Sequence, residues 1–332
     1  MGSRGRGHLR ARIAATAADA GYRVVEAARM DPRANRGVGK SDPLDARRTA
    51  QAVMGLEDGR LRRPRSDDGA RQALPALVDS RDHIRTERTA AITALTALLR
   101  VVDLGVDARR AITPSQITTT AAWRSRDEEL AMRVARVEAN RLAKRVAAAD
   151  RDLAANSKQM TALLASSPAA GLLDQPGIGP VTAAVAFTAW SHPGRVRSEA
   201  AFASLAGVNP IPASSGNTVR HRINREGDRR LNRALHMAVV ARVRMDPATR
   251  TYVQNRTAEG RTPREIRRCL KRYLARPIYR QLNAAAHPPS SAEAEQPATA
   301  SHTQVTQWPS QTPAQLRPRL QQPHQLHRPL PA

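Results

Sequence analysis

The sequence predicts a mostly α protein. It has a partial α/β unit at its N-terminus, a long helical arm of coiled-coil type, and an α-rich C-terminal domain holding a helix-hairpin-helix-like turn. Three observations predict this class. Apolar residues recur at spacings near three, four and seven, with charge between them, through two long stretches between residues 68 and 166. Ahead of them a helical pattern runs into one short strand-like segment, which is half of an α/β unit. Behind them, residues 169–283 carry short helical patterns punctuated by Gly and Pro. The expected boundaries are 1–66, 67–166 and 167–283, followed by a tail over 284–332.

Residues 8–20 read as a helix with Leu9, Ile13, Ala17 and Ala20 on one side, ended by Gly21. Residues 22–27 (Tyr-Arg-Val-Val-Glu-Ala) read as a short buried strand, and residues 29–40 as a basic loop. Ser41-Asp42-Pro43 is helix-start chemistry: Ser41 or Asp42 can cap and Pro43 suits the first turn, so a helix is expected to about Met54. Residues 60–65 form a basic loop. The arm follows. Its first pattern carries Leu74, Leu77, Ile84, Ile92, Leu95, Leu98, Leu99 and Val102, with Gly105 and Pro114 as interruptions. Its second carries Leu130, Val134, Val137, Leu142, Val146, Leu153, Met160 and Leu163. The last 50 residues hold nine of the 23 prolines, many glutamines and four of the nine histidines, a composition that cannot bury a core and predicts disorder.

Lys and Arg number 54 against 29 Asp and Glu, a net charge of +25, and 41% apolar residues support a folded body. With nine aromatic residues in all, the cores must be aliphatic. No apolar run reaches 18 residues, so no membrane partner is expected and the expected location is cytoplasmic. Cys269 is alone, which excludes a disulfide framework and a cysteine zinc finger. Charge of this size points to a polyanion, nucleic acid first. The plainer account is a generally basic, solvated surface. All but four of the cations (Lys40, Lys144, Lys158, Lys271) are arginine, a bias that GC-rich coding also produces.

Several motifs carry chemistry. Pro176-Gly177-Ile178-Gly179, followed by Ala183, looks like the turn of a helix-hairpin-helix. Gly177 and Gly179 would permit a tight turn that leaves amides at a helix start for a DNA phosphate; an ordinary helix–helix turn is the alternative. Asp42 and Asp45, three apart on one helix face, could share a divalent metal, or be a capping and a solvated acid. Lys40 beside them suits a phosphate backbone. Pro212-Ala213-Ser214-Ser215-Gly216-Asn217 places serines in a turn, and Arg220, Arg222 and Arg225 follow. A nucleophile in a cationic pocket and a plain turn both fit. Arg229, Arg230 and Arg233 line a helix that is either a nucleic-acid face or a solvated basic one.

Taken together, the motifs resemble the DEDD-type insertion-sequence transposases of the "IS one-ten" class, the bridge-RNA-guided recombinases. The matching elements are Gly39-Lys40-Ser41-Asp42-x-x-Asp45-Ala46, the helical insert, Pro176-Gly177-Ile178-Gly179 with Ala183, Phe202 to Pro210, Ser215-Gly216, and Gly227 to Leu235. The resemblance covers residues 5–282. It implies an RNase H-type, RuvC-like N-terminal domain with four metal-binding acids, a coiled-coil arm, and a C-terminal transposase domain with a serine nucleophile. Carried over, Asp42 and Asp45 become the last two acids of a Mg²⁺ site and Ser215 the nucleophile, with Ser214 second. The implied partners are transposon-end and target DNA, a structured non-coding bridge RNA, and further copies of the chain, as a dimer or tetramer through the arm. The implied activity is DNA strand exchange. The family's first two acids have no counterpart: Glu26 and Asp31 match neither. The sequence therefore also predicts an N-terminally truncated chain, catalytically impaired or surviving as a DNA/RNA-binding remnant that assembles with full-length copies.

Overall fold

The computed structural model describes residues 13–14, 16–26, 41–57, 61, 63–65, 69–213 and 221–286. Its elements are helices, apart from one small ribbon. In chain order they are α1 (Asp42–Met54), α2 (Gly69–Val101), α3 (Pro114–Ala121), α4 (Leu130–Ala165), a 3₁₀ turn (Ala170–Leu172), α5 (Pro180–Trp190), α6 (Glu199–Leu205), β1 (Pro210–Pro212), β2 (His221–Ile223), α7 (Arg229–Met245), α8 (Pro247–Ala258) and α9 (Pro263–Ala286). Among the described residues no helix is long and apolar enough to cross a membrane. The basic loop of 29–40, Asp31, and residues 287–332 of the expected tail lie outside the described residues; 284–286 complete α9.

At the N-terminus, helical residues 16–19 end as Gly21 predicts. Gly21 adopts φ 84°, its N–H bonds Ala18 O and that of Tyr22 bonds Ala17 O, which is the Schellman closure. The strand expected next differs from what is found. Tyr22 to Val25 carry no strand pairing, only Glu26 makes a single bridge, and Tyr22 is exposed. No sheet is formed there among the described residues, so the α/β character of this unit is not visible in them. α1 starts and stops where read, with Ser41 as N-cap residue and Gly55 beyond its end. Ser41 closes the helix through its backbone, since its side chain makes no capping bond.

The arm is a hairpin of α2 and α4, and α3 packs against α4 near its tip. Its inner seam on α4 runs Ala135, Ala139, Leu142, Val146, Ala149, Leu153, Asn156, Met160, in alternating steps of four and three. That alternation keeps one stripe facing the partner helix. The seam is not the one read from the sequence at its tip end. Leu130, Val134 and Val137 are 65%, 54% and 53% exposed, while Ala135 and Ala139 beside the two valines are buried. Small alanines let α2 and α4 approach closely, and the larger residues turn outward.

Polar residues divide the seam. Asn156 donates to Leu77 O at 2.9 Å and Arg81 donates to Leu153 O at 2.9 Å, so each helix bonds the other's main chain. Burial pushes the Arg81 pKa down, helped by Arg85. One step further out Arg88 forks onto Asp150. Beyond this waist lies the tip core of Ala91, Leu95, Leu99, Ile117, Ala139 and Val146. The tip is closed by Arg136, 7% exposed, which forks onto Glu128 at 2.7 and 2.5 Å and lies 4.8 Å from the Trp123 ring. That fork holds the Glu128 carboxyl below its usual range.

The second core is larger and contains both the root of the arm and the C-terminal helices. Leu74, Val78, Met160 and Leu164 of the arm share it with α5, α6, α7, α8 and α9. α5 is at its centre: buried positions lie all round it, from Thr182 to Trp190. A helix apolar on every side has no solvent face and belongs inside a bundle. Trp190 and Phe187 stack at 6.2 Å, and Trp190 Nε1 donates to Asn283 Oδ1 at 3.1 Å, which satisfies the one polar atom of the largest buried ring. Each such side chain contributes about 1.5–3 kcal/mol through burial. Polar side chains start the helices around it: Ser198 for α6, Asp228 for α7, Asp246 for α8, and a reciprocal Thr262/Glu265 box for α9.

Candidate nucleic-acid interface

Two loops are locked together to make the base of the interface. One follows α6 and contains Gly207; the other precedes α7 and contains Gly227. Gly207 has φ 66°, and a side chain on Gly227 would fall inside the main chain of Gly207. Neither position accepts a Cβ without moving the other. Hydrogen bonds fasten the contact: Asp228 N–H to Leu205 O at 2.7 Å, Asn232 Nδ2 to Ala206 O at 2.7 Å, and Asn224 Nδ2 to Asn209 Oδ1 at 2.9 Å. The motif residues Phe202 to Pro210 and Gly227 to Leu235 thus serve a shared purpose, which is to clamp these two loops.

From the clamp springs the ribbon. β1 and β2 pair antiparallel, with Pro210 opposite Ile223, Ile211 opposite Arg222 and Pro212 opposite His221. Residues 214–220, Ser214, Ser215 and Arg220 among them, lie between β1 and β2 in the sequence and outside the described residues. Two prolines flanking Ile211 keep β1 short and unextendable, since Pro gives no ladder donor.

The basic residues around the ribbon divide into two groups. Arg222, Arg225 and Arg229 are exposed and make no ion pair among the described residues. Arg230 and Arg233 are engaged with the arm: Arg230 bonds Asp79, and Arg233 stands 3.9 Å from Asp82. Both pairs are half exposed, so each is worth only about 0–1 kcal/mol. Their consequence is a local one, since acids of α2 offset two of the arginines read as nucleic-acid contacts.

The Pro-Gly-Ile-Gly turn has its two glycines in different roles. Gly177, at φ 77°, rests on α7: a Cβ there would lie 2.7 Å from Ala238 O and 3.0 Å from the Arg242 nitrogen. Ile178 is buried beside it. Gly179 is the exposed N-cap residue of α5, with open space where a side chain would be. Only a 3₁₀ turn precedes, so the turn joins α5 to a short corner and not to a second α-helix.

Asp42 and Asp45 sit in the first turn of α1, Asp42 exposed and Asp45 half-buried. Arg48 stands 3.9 Å from Asp45. Among the described residues no group of three or more His, Cys, Asp and Glu side chains gathers anywhere. A carboxylate pair with a competing guanidinium is a weak seat for Mg²⁺, which takes one or two carboxylates together with phosphate oxygens and water. Lys40 lies outside the described residues.

The N-terminal segment and the C-terminal bundle meet at the loop after α5. His192 has Pro64 O and Pro193 O each 2.8 Å from a ring nitrogen, and Arg195 bonds Glu26 at 2.8 Å and Arg63 O at 2.9 Å. Sequence reading did not single out His192, Arg195 or Asn232 for these roles. Asn232 was within reach, because Arg229, Asn232, Arg233 and His236 repeat at helical spacing on one face of α7.

Residues 169–254, spanning the 3₁₀ turn, the clamp, the ribbon and most of α8, match the family described as Transposase IS116/IS110/IS902. The chain is also similar to the insertion element IS110 uncharacterized 43.6 kDa protein of Streptomyces coelicolor, at 36% identity over 106 residues. That alignment takes in 31% of this chain and 26% of the relative, so the chain spans about a quarter of the length of the curated relative it matches.

Proposed function

We propose that this chain is an insertion-sequence transposase that binds DNA and exchanges its strands through Ser215. The observation that supports this best is the agreement between the family match over 169–254 and the clamp. The matched segment contains the two loops whose glycines must touch, and those loops hold the ribbon whose strands flank Ser215 in the sequence. In the reaction, Ser215 Oγ would attack a DNA phosphorus, forming a phosphoserine ester as one DNA hydroxyl leaves. Attack by a hydroxyl of the other strand would then release the serine. Arg220, Arg222 and Arg225 would neutralise the charge that builds on the phosphoryl oxygens. Arg229 and the Gly177–Gly179 turn would hold the flanking backbone, with Arg230, Arg233 and Lys40.

Asp42 and Asp45 would be this chain's contribution to a Mg²⁺ site in an RNase H-type domain, and the metal would supply Lewis-acid stabilisation there. A structured bridge RNA would select target and donor DNA. The outward stripe of Leu130, Val134 and Val137 supports assembly into a homo-oligomer through a coiled-coil arm. The second reading is a DNA- and RNA-binding copy that assembles without exchanging strands; the guanidinium of Arg48 beside Asp45 favours it.

A strand-exchange assay with Mg²⁺, donor and target DNA and the cognate RNA tests both. Product that disappears in Ser215→Ala supports the first. Full activity of Ser215→Ala would overturn the serine mechanism, and tight DNA binding without product in the wild type would select the second.

A further inference from the structure

α7 and α9 meet along a seam of like charge. Arg229, Asn232, Arg233 and His236 share one face of α7, and Arg264, Arg267, Arg268 and Lys271 share one face of α9. The two faces are joined where Lys271 Nζ donates to Asn232 Oδ1 at 2.9 Å. Asn232 is itself held by its bond to Ala206 O, so its oxygen is fixed toward the amine. One of the ammonium's three donors is used in this way.

Acids reach the seam only at its margins among the described residues: Asp82 stands 3.9 Å from Arg233, and Glu265 feels the charge of Arg268. Burial holds the half-buried Lys271 amine below its ordinary pKa, and Arg268 pushes in the same direction. Burial, then Lys271 and Arg267, hold His236 below its own. No carboxylate offsets either. The nearby acids are committed elsewhere: Asp228 to the amides of Arg230 and Leu231, Glu265 to Thr262, Asp246 to Thr249 and Arg242, and Glu259 to Arg256. Gathering cations at a partly buried seam opposes folding, and an anion seated there removes the penalty.

We propose that this seam is a seat for a phosphate of the duplex DNA backbone, with Lys271 as its central donor and His236 and Arg267 at its rim. The occupant is a polymer and not a free anion because the charge continues on both sides. Exposed Arg225 and Arg229 lead toward the ribbon, and exposed Arg264 lies one turn before Arg267 on α9. Asn232 ties the seat to the clamp from which the ribbon leaves. This deepens the DNA-binding reading above and rests on it.

The test is fluorescence anisotropy of the full chain on labelled duplex DNA across a salt series. Lys271→Met keeps the packing of the stem and removes the charge. It is expected to weaken binding several-fold and to flatten the log Kd against log salt slope by about 0.9, the value of one phosphate contact. Its thermal midpoint should equal or exceed that of the wild type, an outcome a merely structural lysine would not give. Arg267→Gln, at an exposed rim position, is expected to flatten the slope too. Unchanged slopes in both variants would overturn the seat, and so would a slope lost on single-stranded RNA of equal length but kept on duplex DNA. A wild-type chain without DNA affinity would instead be a failure of the proposed function.

Discussion

Gly177 lies directly on the backbone of α7, so close that a methyl group there would stand 2.7 Å from Ala238 O. Two residues later Gly179 faces open space at the N-cap of α5. The pair separates packing from surface within one motif. Gly177→Ala must both adopt a left-handed φ and displace a helix, and overpacking of this kind costs about 1–3 kcal/mol beyond the φ strain. Gly179→Ala exchanges a tolerated N-cap residue for a poor one and should cost no more than about 1 kcal/mol. Denaturant midpoints of the two variants check this: Gly177→Ala is expected to fall well below Gly179→Ala, and equal midpoints would refute the close approach.

The acids of α2 act on the basic face of α7. Asp79→Asn with Asp82→Asn removes the partners of Arg230 and Arg233. Stability should change by less than about 0.5 kcal/mol for each exposed pair. DNA affinity should rise, with a steeper salt dependence as two guanidinium groups become available for phosphates. Anisotropy on the double variant measures it, and an affinity equal to wild type would mean that α7 does not face DNA.

Much of this architecture is legible in the sequence, because it depends on local signals. Gly21 and Ser41-Asp42-Pro43 mark helix ends through chemistry that acts within one turn, and the structure places ends at both. The helical hairpin follows from its periodicity. Its facing was misread at the tip, since Leu130, Val134 and Val137 are more apolar than the alanines that the close approach of two helices demands. The clamp could be named as a motif but not understood from sequence, because its meaning lies in Gly207 touching Gly227 across a ribbon. The pairing of Arg230 with Asp79 was equally hidden, as 151 residues separate the partners. The short strand read at 22–27 rested on β-branched valines alone, and those do not pair among the described residues.

The outward stripe on α4 gives a prediction about assembly. Leu130, Val134 and Val137 are spaced four and three apart, and they project away from the hairpin's own seam. Val134→Glu with Val137→Glu should leave helical content and thermal midpoint nearly unchanged, because neither residue packs in the tip core. Sedimentation should show a smaller oligomer than the wild type if a second copy covers the stripe. An unchanged mass would place the contact between copies elsewhere.

Tyr252 supplies a pH signature for the C-terminal core. Burial is the main cause that pushes its pKa up to about 12 from the usual 10.0, and Arg256, 5.8 Å from the ring, opposes the rise. An acid whose pKa is higher folded than unfolded holds its proton in the native state after the unfolded chain has lost it. The stabilisation is therefore complete below about pH 10 and is lost as the pH climbs toward about 12. Tyr252→Phe keeps the ring, its edge-on contact with Tyr273 at 6.0 Å and its place in the core, and it removes the proton. Urea midpoints between pH 9.5 and 11.5 should fall more steeply for the wild type than for Tyr252→Phe, while the two differ little at pH 8. Parallel curves would show that Tyr252 ionises as freely in the folded chain as in the unfolded one, and that α8 does not bury it against α9.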